Sequence, residues 1–251
     1  RTPIEGKVAL LTPHTSPFGV EGLVSYRPTI NPRPSTFVRT YAFTSLASRV
    51  EYSELLALNG GNSFWSDAER EHHLETSGDP RFAELAQEIV SKLPERLEGS
   101  DFAKALLVKL YLDERMKYTL RIRHSSAADP TAEFLFGPTN QFIGYCVHSA
   151  HAAALLWREL GIPSRIGIGY AVDAQGRRGA GLLVMNSDAH AWPELYLDGM
   201  GWVILDIAPS ENLDPMGEPQ SDELLDSLVE LASAQENSEF RQAIDWAALW
   251  S

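Results

Sequence analysis

Cysteine is nearly absent from this chain: its 251 residues include one, Cys146. A single thiol closes no internal disulfide, so cysteine usage does not reveal the redox compartment. It also gives any thiol chemistry one possible owner. Basic residues are scarce as well. Lys and Arg number 21 against 34 Asp and Glu, for a net charge of -13. That balance argues against nucleic acid as a partner, because phosphate contacts need clustered Lys and Arg. The short cluster Arg121-Ile122-Arg123-His124 reads as a solvated loop. Long apolar runs are missing, and none approaches the length that spans a bilayer. No secretory leader is visible, and the first residue is Arg1 rather than Met. The chain is therefore read as a processed or excised piece of a longer protein. Membrane attachment is expected only through an anchor of that parent, outside this sequence.

What is present is ordinary globular composition, 44% hydrophobic and 22% charged, with length enough for a sizeable core. The charge is uneven. Residues 211–251 hold ten acids and one base, a net of -9, which leaves -4 on residues 1–210. Three segments are expected: a β-rich region or arm over 1–60, a core domain over 61–210, and an acidic tail over 211–251. One amphipathic helix is expected in the tail, at Asp222–Leu231, and the tail is expected to supply no catalytic group.

Local patterns set the fold class. Pro28, Pro32 and Pro34 exclude a long helix near the N-terminus, where Lys7–Leu11, Gly22–Tyr26 and residues 36–47 read as extended. Phe82, Leu85, Ile89 and Leu93 recur at helical spacing after Gly78-Asp79-Pro80. Asp101 is the expected cap of a second helix. Residues 120–143 read as a loop. A third helix runs from Cys146 to about Leu160 and stops at Gly161-Ile162-Pro163. Ser164–Val172, Leu182–Met185, Ala189–Leu197 and Trp202–Asp206 read as strands, the last two joined by Asp198-Gly199-Met200-Gly201. The sum is an α+β fold with helices packed on an antiparallel sheet.

The chemistry lies in the order of three blocks. Cys146 opens a helix, where the dipole and free N–H groups favour a thiolate. His190 sits in a strand. Asp206 ends the next strand, near hairpin symmetry with His190 about Gly199. These are the parts of a nucleophile–base–orienter set. Each has a plainer alternative: a buried structural thiol for Cys146, a strand histidine for His190, a turn aspartate for Asp206. Asp188 is a rival orienter, though close in sequence to His190. Gln141 is the candidate side-chain donor to an oxyanion. Tyr145 and Trp192 are candidate cleft walls, and each could equally be core. His148 and His151 tempt a metal reading with Cys146. Spacings of two and five on a helix do not converge, so no metal is expected. His148 is placed near the cleft as a supporting polar contact, Arg165 as a structural ion-pair partner, and Trp202 as packing. No cofactor is expected.

Gly144-Tyr145-Cys146, Leu160-Gly161-Ile162-Pro163-Ser164-Arg165, Gly169-Tyr170, Ser187-Asp188-Ala189-His190-Ala191-Trp192-Pro193-Glu194 and Gly201-Trp202-Val203-Ile204-Leu205-Asp206 together resemble the bacterial transglutaminase-like superfamily. The nearest resemblance is to extracytoplasmic domains of membrane-anchored proteins. It is strong over residues 134–209. Pro193 and Ile207 depart from the family's usual residues at those positions. The resemblance implies a papain-like core, with Cys146 as nucleophile, His190 as base and acid, and Asp206 as orienter. It implies attack on a protein or peptide carboxamide, giving a thioester that passes to an amine or to water. Alternatives are a cysteine protease or amidase of the cell envelope, and a silent binding or scaffold domain.

Overall fold

The computed structural model describes residues 2–47, 50–122, 128–172 and 181–214. The expected tail helix at Asp222–Leu231 lies outside the described residues. The described residues form two compact units. One comprises residues 2–47, Val50, Val172 and residues 181–183; the other comprises residues 51–122, 128–171 and 184–214.

The first unit is a three-stranded antiparallel sheet of β1 (Thr2–Leu10), β2 (Leu23–Pro28) and β3 (Arg39–Ala47), in the order β1-β3-β2. The central strand supplies its buried residues, Tyr41 and Phe43, joined by Phe37 and Leu10. Gly6 lies under the Phe43 ring, where a Cβ would come within 2.5 Å of it. Edge strand β2 is exposed along its whole length, with Pro28 at its last position, where a missing donor costs least.

The second unit begins with α1 (Tyr52–Leu55), α2 (Asp67–Leu74), α3 (Pro80–Val90) and α4 (Asp101–Arg115). It continues through β4 (Lys117–Tyr118), α5 (Pro130–Phe136), β5 (Ile143–Gly144) and α6 (Cys146–Glu159). It ends with β6 (Ser164–Tyr170), β7 (Ala189–Leu197), β8 (Gly201–Ile204) and β9 (Glu211–Asn212). Asp79 caps α3 ahead of Pro80, as its sequence signals. Helix α4 is capped by Ser100, whose Oγ accepts from the Ala103 N–H at 3.2 Å. The expected cap, Asp101, is instead the first helical residue; its carboxylate accepts the Gly60 N–H and pairs with Lys104.

The stretch expected to be a loop holds helix α5. Asp129 caps it by accepting from the Thr131 and Ala132 N–H groups, and Pro130 sits at the first position. That Asp-Pro signal matches the one that starts α3. A strand was also expected at Leu182–Met185; Met185 instead leads into a short 3-10 turn over Asn186–Asp188.

Helix α6 is the axis of this unit. It packs against α3, α4 and α5 on one side and against β6 and β7 on the other. Ala150, Ala152, Ala153 and Ala154 are all buried, and small side chains let those neighbours approach on both sides. Trp157 is fully buried and its indole N–H donates to the Ala105 carbonyl at 3.1 Å, so α4 is pinned to α6. Burying a side chain of this size stabilises by roughly 1.5–3 kcal/mol or more. The antiparallel sheet has the order β6-β7-β8, with His190 opposite Gly169 and Glu194 opposite Ile204. A small parallel sheet, β5-β4-β9, crosses the other end of α6. Strand β9 carries the core's strands past residue 210. Beyond it, Leu213 N–H donates to the Tyr118 carbonyl and Asp214 accepts from Thr119 and Leu120.

Candidate active site

Strand β5 delivers the chain to the start of α6. Tyr145 is extended and serves as N-cap, so Cys146 is the first helical residue. In that first turn the His148 N–H donates to the Tyr145 carbonyl at 2.9 Å, and the Val147 N–H faces the Cys146 thiol. His148 secures the turn: its Nδ1 accepts the Tyr145 N–H at 3.2 Å, and its ring stacks on Phe134. A Cβ on Gly144 would fall 2.9 Å from that nitrogen, which accounts for the glycine two residues before the thiol. His148 is thus buried in the wall behind Cys146. His151 turns back on its own helix, to the Val147 carbonyl. No group of metal-ligating side chains occurs among the described residues.

Strand β7 carries His190 and Ala191, and Ala191 packs with Cys146 and Ala150. The His190 Nε2 lies 2.8 Å from Asp206 Oδ2, which leaves Nδ1 for the thiol. Asp206 lies just past β8. The ladder of β7 and β8 runs from Leu197↔Gly201 to Glu194↔Ile204, so by register Asp206 would oppose Trp192 rather than His190. The pair meets because the ladder ends first. Pro193 lies one residue beyond its last rung and contributes its carbonyl to the Leu205 N–H. The segment after Asp206 is tied to α4 and β4. Ala208 N–H donates to Asp113, and the Ser210 N–H and hydroxyl both reach the Met116 carbonyl.

These parts set the charges. Burial pushes the Cys146 thiol up. Hydrogen bonding to His190 and to the Ala191 N–H, the His190 charge and the Val147 N–H together outweigh it, and the thiol lies below its ordinary value. The hydrogen bond to Asp206, then that to Cys146, push His190 up to about 10 against the effect of burial. Both shifts favour a thiolate–imidazolium pair.

A pocket of about 300 Å³ opens on this pair, lined also by Met116, Tyr118, Ser187, Asp188, Ile207 and Asn212. Asp188 is on the pocket wall but is bound elsewhere, its Oδ2 accepting the Met185 N–H at 2.8 Å; Asp206 holds the histidine. Gln141 is not brought to the site. It is exposed, and its amide donates to the Leu135 carbonyl at 2.7 Å. Tyr145 packs behind the thiol, and neither it nor Trp192 lines the pocket. Trp192 lies instead beside His190 on the same face of the sheet, over the glycines of β6. Arg165 pairs with Glu194 and lies over Trp202, as its structural reading expected. Tyr118 and Asn212 went unread in the sequence; two-residue strands carry no periodicity to reveal them.

This assembly is a transglutaminase-like α+β fold, and residues 83–207, about half of the chain, match the family model described as the transglutaminase-like superfamily. The chain belongs to that superfamily. A protein-glutamine gamma-glutamyltransferase of Pseudomonas aeruginosa is 34% identical over 139 residues, 55% of this chain and 19% of its own length. A Bacillus subtilis protein, YebA, is 29% identical over 142 residues, 49% of this chain and 18% of its own length. The chain thus spans about a fifth of the curated relatives it matches. The periplasmic domain of TgpA from Pseudomonas aeruginosa is 26% identical, with a TM-score of 0.49, covering 68% of this chain and 55% of that one. No helix among the described residues is long and apolar enough to cross a membrane.

Proposed function

We propose that this chain performs cysteine-dependent acyl transfer on protein or peptide carboxamides through a thioester. The observation that carries it is that Cys146 and His190 line one pocket, with the imidazole bonded to Asp206 and the thiol lowered by the imidazole. Acyl transfer is the chemistry of the superfamily, and the Pseudomonas aeruginosa relative is named for it.

In this reading the Cys146 thiolate attacks the carboxamide carbon. The negative oxygen that forms is met by the Cys146 backbone N–H at the positive end of the α6 dipole. Tyr118 takes the part expected of Gln141: it lines the pocket and packs beside Cys146, and its hydroxyl is the donor. The His190 imidazolium gives its proton to the amide nitrogen, the carbon–nitrogen bond breaks, and ammonia leaves. The neutral imidazole then takes a proton from the incoming amine as its nitrogen attacks the thioester, and the thiolate–imidazolium pair is restored. Water in place of the amine gives a carboxylate, which is the amidase outcome. In this reading the site of action is extracytoplasmic, on a longer protein that supplies the membrane anchor.

The test is a glutamine-containing peptide with a fluorescent primary amine, following ammonia release and amine incorporation together. Equal amounts of both are expected, and neither with Cys146→Ala. Ammonia without incorporation would convert the reading to an amidase. No turnover on a broad peptide panel, with Cys146 unreactive to iodoacetamide at about pH 6, would leave a silent scaffold domain.

A further inference from the structure

Along β7, His190, Trp192 and Glu194 project from one face of the sheet, as every second residue must. Opposite them on β6 stand Gly169, Gly167 and Arg165. The two glycines are a shelf. A Cβ on Gly167 would fall 2.3 Å from Trp192 Nε1 and 2.9 Å from Glu194 Oε1. One on Gly169 would fall 2.8 Å from Trp192 Cη2. The indole therefore lies flat along β6, its N–H end over Gly167 and its far ring over Gly169, directly across from His190.

The indole is also held at its edge. Its N–H donates to Glu194 Oε1 at 2.9 Å, and Glu194 Oε2 accepts from Arg165 Nε at 2.5 Å. Glu194 is only 7% exposed, so its carboxylate is committed to these two partners. Arg165 in turn lies 4.1 Å over the Trp202 ring. The product of this chain of contacts is a fixed aromatic wall whose centroid is 6.0 Å from that of His190, tilted by 34°.

We propose that Trp192, clamped on the Gly167–Gly169 shelf by Glu194, is a positioning residue that keeps the His190 ring turned toward Cys146. The need for it follows from the site's openness. Asp206, the one side chain among the described residues bonded to the far nitrogen, is 47% exposed, and water can replace it. Ring torsions about an sp³–sp² bond are broad and shallow, so one exchangeable hydrogen bond fixes them poorly. The inference rests on the acyl-transfer reading but concerns a residue outside the pocket, which touches no substrate.

Two measurements test it. Alkylation of Cys146 by iodoacetamide against pH needs no substrate and reports the thiol–imidazole pair. Turnover of the peptide and amine gives kcat and KM. Trp192→Ala should move half-maximal alkylation toward the free-thiol value of about 8.5. It should lower kcat by about tenfold to a hundredfold, as expected for a misplaced catalytic group, with KM unchanged. Trp192→Phe should recover part of the loss. Gly167→Ala should act in the same direction as Trp192→Ala and add nothing to it in the double variant. Gly99→Ala, with open space around it, should match wild type.

Wild-type alkylation in folded Trp192→Ala would overturn the proposal. So would a change in KM alone, which would make Trp192 a substrate wall. If Trp192→Ala does not fold, Gly169→Ala decides by the same profile. Wild type that alkylates as an ion pair but turns nothing over would sink the acyl-transfer reading and leave this one standing.

Discussion

Removing Asp206 should change the pH range in which the site works more than it changes the nucleophile. His190 is pushed up to about 10, first by its hydrogen bond to Asp206 and second by that to Cys146. Imidazolium is the acid that must protonate the leaving nitrogen, so kcat/KM should fall on the alkaline side as His190 loses its proton. In wild type that fall belongs near pH 10, following the His190 value. In Asp206→Ala it should move down toward the ordinary histidine value of about 6.5, held partly above it by Cys146.

The size of the rate loss follows from the contact. A hydrogen bond to a charged group is worth about 1.5–3 kcal/mol, or roughly tenfold to a hundredfold in rate. Asp206 is half-exposed, so solvent screening places the loss toward the lower end. Asp206→Asn should be milder than Asp206→Ala. The nitrogen facing residue 206 is a donor in the working state, and an asparagine carbonyl can accept from it. The assay is kcat/KM from about pH 5 to pH 11 for the three proteins, the range spanning the free and raised histidine values. An alkaline limb that stays put in Asp206→Ala would refute the assignment. It would do so decisively if Asp188→Ala moved the limb instead.

Cys146→Ser should abolish thioester formation while leaving the fold unchanged, checked by trapping with an activated ester and by thermal melting. Deleting the side chain of Asp214 frees β4 from the segment after β9, since Asp214 accepts from both Thr119 and Leu120. Asp214→Ala should therefore cut turnover on the order of tenfold by loosening Tyr118 and the Asp206 segment, and an unchanged kcat would show that this tie is dispensable. His73 packs between Trp65 and Trp202 with a buried Nδ1 that has no partner among the described residues. Burial, then the charges of His72, Arg158 and Arg165, hold its pKa below the ordinary value. The folded state thus binds fewer protons than the unfolded one. Its contribution to stability is whole above about 6.5 and is lost as pH falls below that. His73→Phe should flatten the decline of Tm in that range, and an unaltered slope would show that another group sets it.

The sequence is most legible where a side chain's role depends on its own strand or helix. Cys146, His190 and Asp206 could be placed because each lies at the end of a regular element whose periodicity is clear. The glycines of β6 could be placed on a strand, but their purpose lies across the ladder, under Trp192. Trp192 was readable only as an aromatic near the site. Its face of the sheet depends on the pleat, and its neighbours come from another strand. Gln141 misled for a similar reason. Five residues before the thiol is close enough to reach it, but the Gln141 amide turns back to the Leu135 carbonyl of α5.

The small parallel sheet marks the limit. Strands β4, β5 and β9 are each two residues long, so none has an alternation that a pattern could detect. They nonetheless decide the back of the pocket. Tyr118 and Gly144 are paired across β4 and β5, which puts the tyrosine beside the turn that presents Cys146. Tyr118 and Asn212 are paired across β4 and β9, which returns the chain after Asp206 to the same wall. Three segments remote in sequence thus meet over two rungs of a ladder. The hydrogen bonds from Ser210 to Met116, from Leu213 to Tyr118 and from Thr119 to Asp214 substitute for strand length. A chain truncated after Asn212 keeps β9 but loses the last two of these ties, whereas one ending after Asp214 keeps all of them. Comparing alkylation of Cys146 and turnover in the two truncations isolates their effect. The shorter chain should keep a reactive thiol, because the Cys146–His190 pair is untouched, and should lose turnover, because the wall carrying Tyr118 is released. Equal turnover in both would show that β4 holds its place without them, and Tyr118 would then owe its position to the pairing with β5 and β9.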